Sequence, residues 1–400
     1  MSVHSGSAQN MGDRTLMKKI WPFGFNFLMF AGFATVGPFI VLYYQELGFT
    51  GMQIGLLTGI APLVTLGFAP LWTRIADRTL RHRLMMSLAI VGGLVVVALF
   101  PTLHAFGPIL VLAILLNVFL SPVTPFADSA AMVMLGEQKH MYGRIRLGGT
   151  IGYGVATSLA GVLVQHYGID FAFWGCAALF LLALAVSQRL VYGEPRVLKA
   201  TSERGSIRAL LRDPRWPLFL AVAFASGLSH ASLNYLFPYM RELGATESVM
   251  GLALTIGTIA EVPILFFAHR LIKRFRPHVV IMVSMVIMGL RLLLFAATAT
   301  PTLVLIIQLL NGVTLPLMWV AAVSYANEMA PKGMTATAQG MLSGTVYGFG
   351  MAVGGFMGGP LLENLGGRGL YLMFGIVVLA ILGIVALLQN RLPVKERSDS

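Results

Sequence analysis

Long apolar runs, separated by short polar and basic segments, dominate this chain. A helix of ~20 apolar residues is long enough to cross the hydrocarbon core of a bilayer. By that rule about twelve runs qualify. They centre near Ala31, Ala61, Val95, Ala113, Ala156, Leu181, Ala225, Ile256, Val286, Leu310, Gly350 and Val378. Gly and Pro fall inside many of them, which membrane helices tolerate because neighbouring groups re-satisfy the freed backbone. The pattern predicts an all-α membrane protein.

The segments between the runs alternate in charge. One set holds Lys18 and Lys19; Arg74, Arg78, Arg81 and Arg83; Lys139 and Arg144; Arg196 to Arg215; Arg270, Lys273, Arg274 and Arg276; Lys332; and Arg391 to Arg397. The other set holds only Arg241 and Arg368. Cytoplasmic loops are the ones enriched in Lys and Arg, so the first set and both termini are expected in the cytoplasm. The net charge of +12 then reads as a topology signal. Nucleic acid is not expected as a partner, since no basic patch lies on a soluble domain. Composition agrees: 57% of the 400 residues are hydrophobic and 11% charged, against about 25% charged in soluble proteins. The first nineteen residues lack a short apolar core followed by a small-residue cleavage site and read as a cytoplasmic tail. The single cysteine, Cys176, excludes an intrachain disulfide.

The one long polar connection, residues 193–216, divides the chain into halves that repeat. YYQELGFTGMQIGLL begins at Tyr43 and YMRELGATESVMGLA at Tyr239. The same register carries Arg74 onto Arg270 and Arg78 onto Arg274. Two six-helix halves in parallel repetition resemble the plan of the major facilitator superfamily, whose substrate site lies between the halves at mid-membrane. The expected organisation is a tail (1–19), a six-helix bundle (20–192), a linker (193–216), a second bundle (217–390) and a tail (391–400).

Four ionisable residues inside the apolar runs are not explained by topology. Asp128 lies late in the fourth run and Arg146 begins the fifth; Glu261 is in the eighth and Arg291 in the ninth. A carboxylate at the centre of a bilayer costs roughly 2.5–3.5 kcal/mol on insertion scales, so such groups face a cavity or bundle interior and pair. Each half offers one acid and one base. They read either as structural ion pairs or as functional groups.

YGRIRLGGTIGYGVA, AEVPILFFAHRLIKRF, GLRLLL, LLNGVTLPL and TATAQGMLSGTVYGFG together resemble the lactose permease branch and its relative, the phenylpropionate permease branch. In the lactose permease branch a carboxylate late in the fourth helix and an Arg early in the fifth hold substrate, with an aromatic two turns on. The resemblance places Asp128, Arg146 and Tyr153 in those roles. It matches Arg291 to the ninth-helix Arg. Where lactose permease has a His and a Glu in its tenth helix for proton coupling, this chain has Asn311 and Thr314, which do not titrate in the working range. Glu261 remains as the titratable group, and the Glu-(Ile/Val)-Pro it begins is shared with the phenylpropionate branch. Glu261 is therefore expected to take up and release a proton as Arg291 approaches and withdraws; the alternative is a permanent pair tying two helices together.

Asn26, His230, Asn234, Asn311 and Trp319 complete the expected site, with His230 as a second titrating candidate. His230 and Asn234 are four apart, on one helix face. The loop RIADRTLRHR resembles the superfamily's cytoplasmic signature, with Thr73 where that pattern has Gly. Asp77, Arg78 and Arg83, with Arg270 and Arg274 in the second half, are assigned to a cytoplasmic gate.

No metal-spaced His/Cys cluster, HExxH, GxSxG or phosphate loop supports an enzyme. A scaffold would not need acid–base pairs in both halves. A drug/proton antiporter typically has a Gly-Pro-rich fifth helix, and residues 146–168 contain no Pro. Melibiose-like sodium carriers place acids in the second helix, and Met52 to Thr73 has none. The expected function is proton-coupled uptake of a small polar solute such as an aromatic acid or sugar; nucleosides, siderophore-like compounds and drug export are the alternatives. The expected setting is the inner membrane. No cofactor or metal is expected, and the chain is expected to act as a monomer.

Overall fold

The computed structural model describes residues 5–192, 207–331 and 333–391. The basic linker from 193 to 206, Lys332 and the tail from 392 lie outside the described residues. Within them the chain is helical throughout, without a strand. Among the described residues, ten helices are long and apolar enough to cross a membrane, or eleven when the bent pair Pro301–Gln308 and Asn311–Met329 is taken as one span.

Contacts divide the chain into two compact units. The first draws on Met1–Phe49, Leu63–Val197 and Ala245–Thr258; the second on Thr50–Pro62, Leu198–Gly244 and Ile259–Ser400. The described helices of the N-terminal half are α1 (Ser5–Val36), α2 (Ile40–Glu46), α3 (Gly51–Thr79), α4 (His82–Leu99), α5 (Phe106–Leu120), α6 (Val123–Leu135), α7 (Tyr142–Tyr167) and α8 (Asp170–Ser187). Those of the C-terminal half are α9 (Ile207–Arg212), α10 (Arg215–Ala231), α11 (Leu236–Glu242), α12 (Glu247–Arg274), α13 (Pro277–Ala297), α14 (Pro301–Gln308), α15 (Leu315–Met329), α16 (Thr335–Ser343) and α17 (Met351–Gln389). By residue range, α3 and α12 each contribute to both units.

In the first unit the glycine-rich face of α7 lies against α1. A Cβ on Gly152 would sit 2.2 Å from the Phe27 carbonyl oxygen, so only glycine admits this approach. Small residues at such contacts replace the hydrophobic drive that lipid cannot supply.

The sequence repeat reappears as repeated anchors. Tyr43 donates its hydroxyl to the Phe100 carbonyl at 2.7 Å in the first unit, and Tyr239 donates to that of Phe295 in the second. Each Tyr is followed by Glu-Leu-Gly, and both glycines, Gly48 (φ 75) and Gly244 (φ 82), take the left-handed conformation that ends the helix. Late in the chain, the long helical stretch of α17 is broken at Gly366 (φ 66, ψ 178).

Candidate functional site

In the first unit, Pro122 separates α5 from α6 and places Asp128 inside α6. Gly136 (φ 51) ends α6, and α7 starts at Tyr142. Arg146 Nη1 donates to Asp128 Oδ2 at 3.1 Å and lies 3.3 Å from the Tyr142 hydroxyl, one turn back on the same helix. The pair is open: the side chains are 45% and 30% exposed, respectively. The second carboxylate oxygen, Oδ1, is buried without a hydrogen-bond partner. An ion pair this exposed contributes about 0–1 kcal/mol to stability. Tyr153, two turns beyond Arg146, is partly buried and packs against the cluster of Ala31, Ala34 and Ala156. Asn26 is buried and donates to the Pro22 carbonyl of its own helix at 2.9 Å.

In the second unit, three helical elements converge. Glu261 lies on α12 two residues before Pro263. Arg291 lies on α13. The tenth apolar run is not one helix: α14 ends at Gln308, a short turn covers Asn311–Val313, and α15 follows at a bend of 47°. Gly312 sits in that turn, where a Cβ would lie 2.2 Å from the Ala260 carbonyl oxygen. This close approach brings Asn311 to the neighbouring Glu261. Asn311 Nδ2 donates to Glu261 Oε1 at 2.6 Å, while its Oδ1 accepts from Arg291 Nη1 at 2.8 Å. Arg291 Nη1 also lies 3.4 Å from Thr314 Oγ1, and Nη2 donates to Gln308 Oε1. The guanidinium stands over the Phe295 ring at 5.3 Å.

Arg291 is 1% exposed, yet no carboxylate lies within 4 Å of it among the described residues. Its contacts are neutral oxygens, and Asn311 joins it to Glu261. Leaving a buried charge uncompensated costs several kcal/mol, so this amide bridge carries weight in the packing. Broken helices at mid-span recur where transporters bind ions and substrates, because the freed backbone and side chains then face a cavity or one another.

The His230 ring meets Tyr347 edge-on at 6.2 Å, and Tyr347 lies 4.8 Å from Trp319. Tyr347 is on a π-helical turn, Gly344–Gly350, a distortion frequent at functional sites. His230 Nδ1 is buried without a hydrogen-bond partner. Asn234 is half-buried, on a 3-10 turn (Ser232–Tyr235) rather than on one regular helix with His230. Sequence reasoning did not single out Tyr142, Gln308 or Tyr347. Gln308 had a legible signal, a polar residue inside an apolar run one turn before Asn311; the other two had none beyond their motifs.

Asp77 and Arg83 do not meet. Asp77 Oδ1 contacts His82 Nε2 at 3.0 Å, and Arg83 Nη2 donates to the Leu190 carbonyl at 3.3 Å. Arg78 is exposed. Arg270 and Arg274 lie over Phe267 and Phe275 at 5.3 and 5.7 Å.

Comparison with known proteins gives this arrangement its context. The family model described as "MFS_1 like family" matches residues 20–373. The maltose permease of Geobacillus stearothermophilus is 31% identical, over 94% of this chain and 95% of its own. The probable 3-phenylpropionic acid transporter of Escherichia coli (strain K12) is 26% identical, over 88% and 93%. Among solved structures, the nucleoside transporter NupG superposes with a TM-score of 0.80 at 17% identity, over 94% of this chain and 99% of that one, which shows a shared fold. These relatives are transporters, not enzymes. The chain belongs to the MFS_1 like family and is a multi-pass membrane transporter of the major facilitator type.

Proposed function

We propose that the protein is a proton-coupled symporter that takes up a small polar organic solute across the inner membrane by alternating access. The observation that carries this reading is the chain Glu261–Asn311–Arg291: a half-buried carboxylate and a buried guanidinium in one unit, separated by an amide. A direct ion pair would resist protonation. An amide between the charges holds both, so Glu261 gains or loses a proton while Arg291 keeps its hydrogen bond to Asn311. His230 is the second titratable group in that unit. Asp128 and Arg146 hold the solute, with Tyr153 beside them and Asn26, Asn234, Asn311 and Trp319 as further polar and aromatic contacts. Their open ion pair supports this, since a solute's hydroxyl or carboxylate replaces exposed partners at small cost. The names of two relatives support an aromatic acid or a sugar as the solute class. Asp77, Arg78, Arg83, Arg270 and Arg274 form the cytoplasmic gate.

Twelve spans in two halves, 20–192 and 217–390, fit the chain. The 55-residue stretch Thr335–Gln389 would be roughly 80 Å long as one helix, more than twice the ~30 Å hydrocarbon core. Gly366 divides it into two spans. The termini and the 193–216 linker then face the cytoplasm.

The test is Glu261→Gln in proteoliposomes, with maltose and 3-phenylpropionic acid as first solutes. The variant should exchange labelled for unlabelled solute, because exchange needs no proton release, and should lose accumulation driven by a pH gradient. A variant that folds and still concentrates solute on a pH difference overturns the coupling role.

A further inference from the structure

Arg291 is short of an acceptor. Three neutral oxygens meet its Nη1 and Nη2, but Nε is buried with no partner. Gln308 turns its oxygen to the guanidinium, and its Nε2, also buried, has no partner either. Both side chains are 1% exposed. Ser284, two turns before Arg291 on α13 and so on the same face, has a buried hydroxyl without a partner. Buried N–H donors without an acceptor are rare in native proteins and each costs free energy. Here one belongs to a cation that touches no carboxylate among the described residues, and the other lies beside it, inside an apolar bundle.

We infer that Arg291 and Gln308 form a binding site for a small monoanion, with a carboxylate group as the best match. A carboxylate offers planar oxygen acceptors to a guanidinium edge and an amide N–H, with charge to balance Arg291. The anion is either carried on the transported solute or a free ion such as formate or chloride; the donors required are the same. Glu261, one amide away, is the internal competitor for that positive charge. The inference deepens the proposed transport reading and rests on it for the relevance of the site to uptake, but the binding itself is separable.

The experiment is thermal unfolding of the purified full-length protein in detergent, at constant ionic strength and with no gradient. The probes are chloride, formate, benzoate and benzamide, with Gln308→Glu and, as a control, Arg189→Ala, an exposed cation over Trp21 in the first unit, as variants. Gln308→Glu places a permanent carboxylate beside Arg291. The expected result is a saturable rise in unfolding temperature with benzoate or formate and none with benzamide. It should be weakened about tenfold or more in Gln308→Glu through like-charge repulsion and kept in Arg189→Ala. A response to formate or chloride assigns a free-ion site; a response to benzoate alone assigns a solute-borne carboxylate. The inference is overturned if no anion stabilises, as when water alone satisfies the donors, or if benzamide equals benzoate. It is also overturned if the response survives Gln308→Glu, or vanishes in Arg189→Ala. Failure here leaves the pH-driven accumulation test untouched, and failure of that test leaves an anion result standing.

Discussion

Asp128 and Arg146 touch directly and stand partly exposed, whereas Arg291 is buried, does not touch half-buried Glu261, and is joined to it through Asn311. The two acid–base sets look alike along the chain, one acid and one base on consecutive spans in each half. Their settings make them different devices. The exposed pair contributes little to stability, so a ligand can replace either partner. The set around buried Arg291 cannot lose a contact cheaply. Its amide spacer keeps opposite charges from locking together, so the carboxylate's charge can change without stranding the guanidinium.

Breaking the bridge should have the largest effect. Asn311→Leu removes a charge-assisted hydrogen bond at each end and leaves a buried guanidinium and a half-buried carboxylate short of partners. A loss of about 3–5 kcal/mol is expected, read as a clear fall in unfolding temperature. Glu261→Gln combined with Asn311→Leu should then lose less than the sum of the single variants, by about 0.5–3 kcal/mol. Strict additivity would show that Asn311 does not couple the two.

Arg146→Lys tests the other side of the comparison. The Lys keeps the charge and loses the planar fork, so solute binding should weaken about 100-fold, equivalent to roughly 2.7 kcal/mol. The unfolding temperature should move little, because the pair is exposed. Asp128→Asn should behave likewise. A large stability loss with binding intact would reverse the roles assigned to the two regions.

The smallest effect is expected at the gate. Asp77 contacts His82 on the protein surface, and Asp77→Asn should change stability by less than about 1 kcal/mol. Cysteine accessibility from the two membrane faces is the sharper readout. A shift toward the inward-open population would support a gate, and unchanged accessibility would reduce Asp77 to ordinary solvated charge.

The order of residues alone showed an all-helical membrane protein, the repeat, the family, and which charged residues lie inside apolar runs. These are one-dimensional properties: a helix in lipid must be apolar over ~20 residues, and any charge within it stands out. The repeated Tyr and Glu-Leu-Gly were visible as letters before they were visible as the anchors Tyr43 and Tyr239. Which side chains meet was settled by the folded chain. Glu261 and Arg291 looked like a pair, yet Asn311, 50 positions from the first and 20 from the second, stands between them. Gln308 took up Arg291's other nitrogen, and Asp77 turned to His82 instead of Arg83. The physical reason is that contact across helices depends on rotation about each axis and on how closely the backbones approach. Here the approach is set by Gly312 against Ala260, at the point where the tenth run breaks its helix.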